Sequence, residues 1–134
     1  RRGPGGCLRR TGAAQARVLV VDDEPQVAEL MRDMLETAGH EVAVAESAAV
    51  ALELLDTARF DAIVSDLRMP DMDGAQLWQH VNRSHPGLGR RMLFITGDTL
   101  SETSQQFLVQ SGCPRLDKPF SKADLVSAVT AVLA

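Results

Sequence analysis

The sequence predicts a doubly wound α/β domain, a five-stranded parallel sheet of order 2-1-3-4-5 with helices on both faces, three layers deep. Three observations predict it. Five short apolar runs alternate with five stretches of helical periodicity, the pattern of repeated βαβ units. The run Arg17-Val18-Leu19-Val20-Val21 is continuously apolar after its first residue, as a strand covered on both faces requires. At 134 residues and 45% hydrophobic content, the chain has material for one domain with a real core.

The fold is expected to start near Ala16, and Arg17 to Val21 is its central strand. That strand runs into Asp22-Asp23-Glu24-Pro25, where Pro25 suits the first position of a helix. Val27, Leu30, Met31, Met34, Leu35 and Ala38 then recur at helical spacing, with Gly39 placed to cap the end. Glu41 to Ala45 alternates as a second strand, and Ser47 is the N-cap of a helix carrying Val50, Ala51, Leu54, Leu55 and Ala58.

The third strand, Ala62 to Ser65, holds the β-branched pair Ile63-Val64 and leads through Asp66 into a loop punctuated by Pro70 and Gly74. Asp71 and Asp73 in that loop read as turn residues. A helix with Leu77, Trp78 and Val81 on one side follows, stopped by Ser84-His85-Pro86-Gly87. Arg91 to Thr96 is the fourth strand, leading to Gly97-Asp98. The fourth helix, about Ser101 to Gln110, has only Leu100, Phe107, Leu108 and Val109 as clear apolar anchors and should be the least firmly held. Arg115-Leu116-Asp117 makes a short fifth strand, and Ser121-Lys122-Ala123-Asp124 is a capping box opening the last helix.

Composition excludes several functions. Arg1, Arg2, Arg9, Arg10 and Arg17 precede any acid, leaving 9 Lys+Arg against 18 Asp+Glu in the remainder, so the folded part is acidic. Nucleic-acid binding by the domain would need a basic face. The glycine-rich start, residues 1–16, reads as a flexible basic linker, with the domain spanning 17–134. No apolar run approaches a membrane span, which suggests a cytoplasmic location without membrane contact by this domain. Cys7 and Cys113 have neither framework nor metal-ligand spacing and read as free thiols. His40, His80 and His85 read as structural or solvent-exposed.

In a sheet of order 2-1-3-4-5, strands one and three lie side by side at the switch point, where ligands bind outside the strands' carboxyl ends. Asp22 and Asp23 then meet Asp66. Three close carboxylates repel one another, and a divalent cation or a raised pKa relieves this. All-oxygen donors point to Mg²⁺ or Mn²⁺. Strand four brings the Thr96 hydroxyl to the same edge and strand five brings Lys118. Alone, each of these residues is more often a solvated acid, a strand-end hydroxyl or a surface ammonium. Together they suit a phosphoryl group carried on a carboxylate.

Four motifs, Val-Leu-Val-Val-Asp22-Asp23-Glu-Pro, Asp66-Leu-Arg-Met-Pro-Asp-Met-Asp-Gly74, Phe-Ile-Thr96-Gly and Asp-Lys118-Pro-Phe, agree in order and spacing with the receiver domain of two-component response regulators, which the chain resembles from about Arg17 to Ala134. The resemblance implies a flavodoxin-like (βα)5 fold in which Asp66 accepts a phosphoryl group from a histidine of a kinase domain or phosphotransfer protein and the conformation then switches. It implies that Asp23, Asp66 and the backbone carbonyl of Arg68 ligate Mg²⁺, with Asp22 acting mostly through water. It further implies that Thr96 and Lys118 hold phosphoryl oxygens, that Arg68, Gly97 and Asp98 flank the group, and that the Lys118–Pro119 bond is cis. Such a domain is no enzyme toward other substrates; it catalyses only its own modification and slow self-hydrolysis.

One departure from the family's pattern is Arg115, which stands three before the lysine where a ring is usual; it is free to pair with acids on a partner. The form Ser-Gly-Cys-Pro-Arg-Leu-Asp-Lys-Pro-Phe resembles receivers at the C-terminus of hybrid sensor histidine kinases, and a start at Arg1 reads as a piece of something longer. Alternatives are a stand-alone single-domain regulator and a docking pseudo-receiver that is never phosphorylated. A haloacid-dehalogenase phosphatase would need Asp-x-Asp after its first strand, and Asp22-Asp23-Glu24 would repel the phosphate of a flavodoxin's FMN.

Overall fold

The computed structural model describes residues 16–68, 73–97 and 102–133. Of the sequence expectations, the lead-in before Ala16 with Cys7, the loop residues Met69 to Met72 with Asp71, and Asp98, Leu100 and Ser101 lie outside the described residues. Within them the order is β1 (Arg17–Val21), α1 (Pro25–Thr37), β2 (Glu41–Ala45), α2 (Ala48–Thr57), β3 (Ala62–Asp66), α3 (Gly74–Ser84), α4 (Pro86–Gly89), β4 (Met92–Thr96), α5 (Glu102–Ser111), β5 (Arg115–Asp117) and α6 (Lys122–Leu133). All strand pairs are parallel, in the order β2-β1-β3-β4-β5.

The alternating side chains of the strands divide the apolar residues into two cores. On one face, Leu19, Ile63 and Phe94 pack with Leu55 of α2, Leu77 of α3 and Leu108 of α5. On the other, Val20, Val64 and Ile95 pack with Met31 and Leu35 of α1 and with Leu125 of α6. Strands β3 and β4 are buried throughout, as continuous apolar runs between two helical layers require.

Capping follows local chemistry. Ser47 Oγ accepts the Val50 N–H at 3.2 Å and Gly39 takes a positive φ of 101° after α1. Ser121 and Asp124 exchange hydrogen bonds of 3.1 Å at the start of α6. Asp73, expected as a turn residue, is the N-cap of α3: its Oδ1 accepts the Gln76 N–H at 2.8 Å while Gln76 Oε1 accepts the Asp73 N–H at 3.2 Å.

Two expectations need correction. The stop after α3 is a sixth helical piece, α4, a single turn started by Pro86 and held because Trp78 Nε1 donates to the Gly89 carbonyl at 2.9 Å. Periodicity cannot register a four-residue turn whose stability comes from a side chain eleven residues away. The central strand is β3 rather than β1, because β2 lies on the outer side of β1 while β4 and β5 extend the sheet beyond β3. His40, read as structural or solvent-exposed, is structural: it is buried, its Nδ1 accepts the Ala16 N–H at 3.2 Å, and burial lowers its pKa.

No helix among the described residues is long and apolar enough to cross a membrane.

Candidate functional site

Strands β1 and β3 pair from Val18↔Ala62 to Val21↔Ser65, so the residues following this register, Asp22 and Asp66, emerge side by side. Asp22, Asp23 and Asp66 each present a carboxylate oxygen, all within 4.8 Å of one another. Asp22 and Asp66 are buried and Asp23 is exposed. Backbone donors hold the two buried acids: the Glu24 N–H donates to Asp22 Oδ1 at 2.9 Å and the Arg68 N–H to Asp66 Oδ1 at 3.2 Å.

Burial pushes the Asp22 carboxyl up to about 6, partly offset by the Glu24 N–H and reinforced by the nearby Asp66 charge. Burial likewise raises Asp66, against the pull of the Arg68 N–H and the Lys118 ammonium. The second oxygen of Asp22, Oδ2, is buried and has no hydrogen-bond partner among the described residues. An orphaned buried oxygen beside two more carboxylates is a donor set suited to a hard divalent cation, and the oxygen-only chemistry fits Mg²⁺ or Mn²⁺.

Lys118, which follows β5, reaches over this cluster. Its Nζ lies 4.0 Å from Asp66 Oδ2 and equally 4.0 Å from Glu24 Oε1. The Lys118–Pro119 peptide bond is cis. Arg68 is exposed next to Asp66, and Gly97 follows β4. Thr96 ends β4 at the same edge, and its hydroxyl is engaged across the sheet: Oγ1 donates to Asp117 Oδ1 at 2.6 Å. Arg115 has Nε 3.7 Å from that same Asp117 oxygen.

Three contributing residues escaped the sequence reading. Glu24 shares Lys118 with Asp66, and its place directly after the acid pair was the available signal. Asp117 was legible only through register, since it lies directly opposite Thr96. Gly74 begins α3 so close to the end of β3 that an added Cβ would stand 2.9 Å from the Phe94 ring, 3.0 Å from Leu67 Cα and 3.1 Å from the Asp66 carbonyl oxygen. A methyl group there would press on the backbone that carries Asp66.

Comparison with known proteins agrees with this architecture. Residues 18–130 match the response regulator receiver domain family. The transcriptional regulatory protein GlrR of Escherichia coli K12 is 34% identical over 117 residues, covering 85% of this chain and 25% of GlrR. A 14.6 kDa protein encoded beside sodA1 in Leptolyngbya boryana is 36% identical over 116 residues, covering 87% of this chain and 88% of that protein. Among solved structures, the chemotaxis protein CheY4 of Vibrio cholerae superposes with a TM-score of 0.79 at 31% identity, over 90% of this chain and all of that one. A CheY-like receiver domain protein of Methanospirillum hungatei gives 0.81 at 26% identity, over 90% and 94% of the two chains. The chain spans about a quarter of GlrR's length. With matching fold, matching family and an acidic switch-point edge, the chain belongs to the response regulator receiver domains of two-component systems.

Proposed function

We propose that this domain receives a phosphoryl group on Asp66 from a phosphohistidine of a kinase domain or a histidine phosphotransfer protein, and changes conformation in consequence. The observation that carries the reading is the convergence of Asp22, Asp23 and Asp66 within 4.8 Å, with Lys118 Nζ 4.0 Å from Asp66 Oδ2. Asp66 attacks phosphorus through a carboxylate oxygen, the bond from phosphorus to the donor imidazole nitrogen breaks, and the histidine leaves with the bonding electron pair. Such transfers depend on positioning and on neutralising charge rather than on covalent assistance.

Asp23, Asp66 and the Arg68 carbonyl would hold Mg²⁺, with Asp22 contributing mostly through water. When bound, the cation screens the carboxylates and the incoming phosphate and orients both. Lys118, a compact charge on a long stem, exchanges its partner Asp66 for a phosphoryl oxygen, and Glu24 is the counter-charge it leaves or keeps. Thr96 supplies a hydroxyl donor once it turns inward. Arg68 and Gly97 flank the group and govern the access of water to it. Phosphorylation adds roughly one negative charge beyond the carboxylate it replaces, together with strong acceptor oxygens. Each charge-assisted bond it gains is worth about 1.5–3 kcal/mol, so two of them move a conformational equilibrium by about one to several decades.

The Cys113-to-Phe120 stretch, with Pro114 four before Lys118, supports placing this receiver in a hybrid sensor histidine kinase. A parent sequence lacking a histidine kinase core would exclude that context and leave a response regulator.

Intact mass after incubation with acetyl phosphate and Mg²⁺ tests the central reading. A gain of one phosphoryl group is expected for the wild type, abolished by EDTA and by Asp66→Asn, whose circular dichroism should be unchanged. Labelling that survives in Asp66→Asn would place the acceptor elsewhere.

A further inference from the structure

The hydrogen bond from Thr96 to Asp117 is not needed to build the sheet, yet it occupies the hydroxyl that the phosphoryl reading requires. Thr96 and Asp117 are register partners across β4 and β5, and Phe94 and Arg115 are partners two residues earlier. Side chains two apart on a strand share a face, so Phe94, Thr96, Arg115 and Asp117 all lie on one face of the sheet. Leu116, between them, packs into the opposite core. The shared face is the one α5 covers, where Phe107 meets the Phe94 ring edge-on at 5.3 Å.

A threonine hydroxyl has a single proton to donate. While Oγ1 donates to Asp117 Oδ1 at 2.6 Å, it cannot donate to an oxygen on Asp66. Arg115 Nε, 3.7 Å from the same Asp117 oxygen, extends the chain outward. Thr96 is 2% exposed, whereas the Arg115 and Asp117 side chains are 49% and 63% exposed. The Arg115–Asp117–Thr96 chain therefore runs from solvent to the buried edge of the site.

We propose that Asp117 is a positioning residue that latches Thr96 away from Asp66 in the unmodified domain, and that Arg115 steadies the latch. This rests on the reading of Asp66 as phosphoacceptor and Thr96 as a phosphoryl ligand. The domain must break the latch to bind a phosphoryl group fully, so latch strength sets part of the switching equilibrium. The Asp117–Thr96 bond has an ionised acceptor and a buried donor and carries most of that strength. The exposed Arg115–Asp117 pair carries little.

The test is Mg²⁺-dependent binding of beryllofluoride, a phosphoryl mimic, followed by fluorine NMR in wild type, Asp117→Ala, Asp117→Asn, Arg115→Ala, Thr96→Ala and the Thr96→Ala/Asp117→Ala double variant. Removing the latch should tighten binding about three- to tenfold in Asp117→Ala. Asp117→Asn, which keeps a neutral acceptor, should move binding the same way by less, and Arg115→Ala by less than about threefold. Loss of a negative charge could tighten anion binding without any latch, and the double variant separates the two. In the Thr96→Ala background the effect of Asp117→Ala should vanish. An equal gain with and without Thr96, or unchanged or weaker binding in a folded Asp117→Ala, overturns the latch while leaving the phosphoacceptor reading standing. Should Asp117→Ala fail to fold, Asp117→Asn against Thr96→Ala/Asp117→Asn carries the same cycle. A wild type that binds no beryllofluoride in the presence of Mg²⁺ removes the phosphoacceptor reading and the latch with it.

Discussion

Helices α1 and α5 lie on opposite faces of the same sheet and are held very differently. α1 buries Ala28, Met31 and Leu35 completely, packed against β1, β2 and α6. α5 buries only Leu108 and leaves Val109 81% exposed, and the strand beside it, β5, is three residues long with no residue fully buried. Asp66 shares the firmly packed face of β3 with Val64. Thr96 shares the loosely packed face of β4 with Phe94. Local opening is cheapest where few apolar contacts must break, so the α5–β5 region should open before the α1 side does.

Cavity-forming substitutions test that contrast with the largest effects. Leu35→Ala in α1 is expected to destabilise the domain by about 2–5 kcal/mol, and Leu108→Ala in α5 by less than half as much, both measured by urea unfolding. Equal costs would show that α5 is as firmly held as α1. Amide hydrogen exchange sharpens the same point, because α5 amides should exchange by local opening well before those of α1.

The firm side carries its own electrostatic cost, which a pH series exposes. The Asp22 carboxyl is raised by burial from 3.8 to about 6, so between these values the folded state binds a proton that the unfolded chain has released. Without divalent cation, stability should fall as pH rises from about 4 to about 6, by up to about 3 kcal/mol, and then level off. Asp22→Asn should flatten this dependence and raise stability near neutral pH by about 1–3 kcal/mol, while weakening Mg²⁺ binding. Wild-type Mg²⁺ affinity should decline as pH falls below about 6, because protons compete for the same oxygens. A stability curve unchanged in Asp22→Asn would mean that the buried acid is solvated in solution. The smallest effect is expected at Val109→Ala, within about 0.5 kcal/mol, because that side chain is already in water. A larger loss would reveal contacts that bury this position.

Most of the element order was legible before folding was considered. The apolar runs of β1, β3 and β4 and the caps Ser47 and Ser121 have local causes, and local causes can be read from neighbours in the chain. The weak hold on α5 was also foreseeable, from the scarcity of its apolar residues. Helix α4 was not, because Trp78 stabilises it from another helix. His40 could be read only as structural or exposed, and its partner, the Ala16 N–H, lies twenty-four residues upstream.

At the site the same division holds. The alternation of strand and helix sufficed to bring Asp22, Asp23 and Asp66 to one edge, since parallel strands of a doubly wound sheet all present their carboxyl ends there. Residue types then pointed to oxygen donors suited to a hard cation. Folding alone decided that Glu24 shares Lys118, that Gly74 has no room for a methyl group, and that Thr96 donates to Asp117 rather than toward Asp66. Those outcomes depend on inter-strand register and on ångström-scale approach between distant segments. Composition and periodicity specify which face a side chain lies on, but the partner it meets there is chosen by the packing of the whole domain.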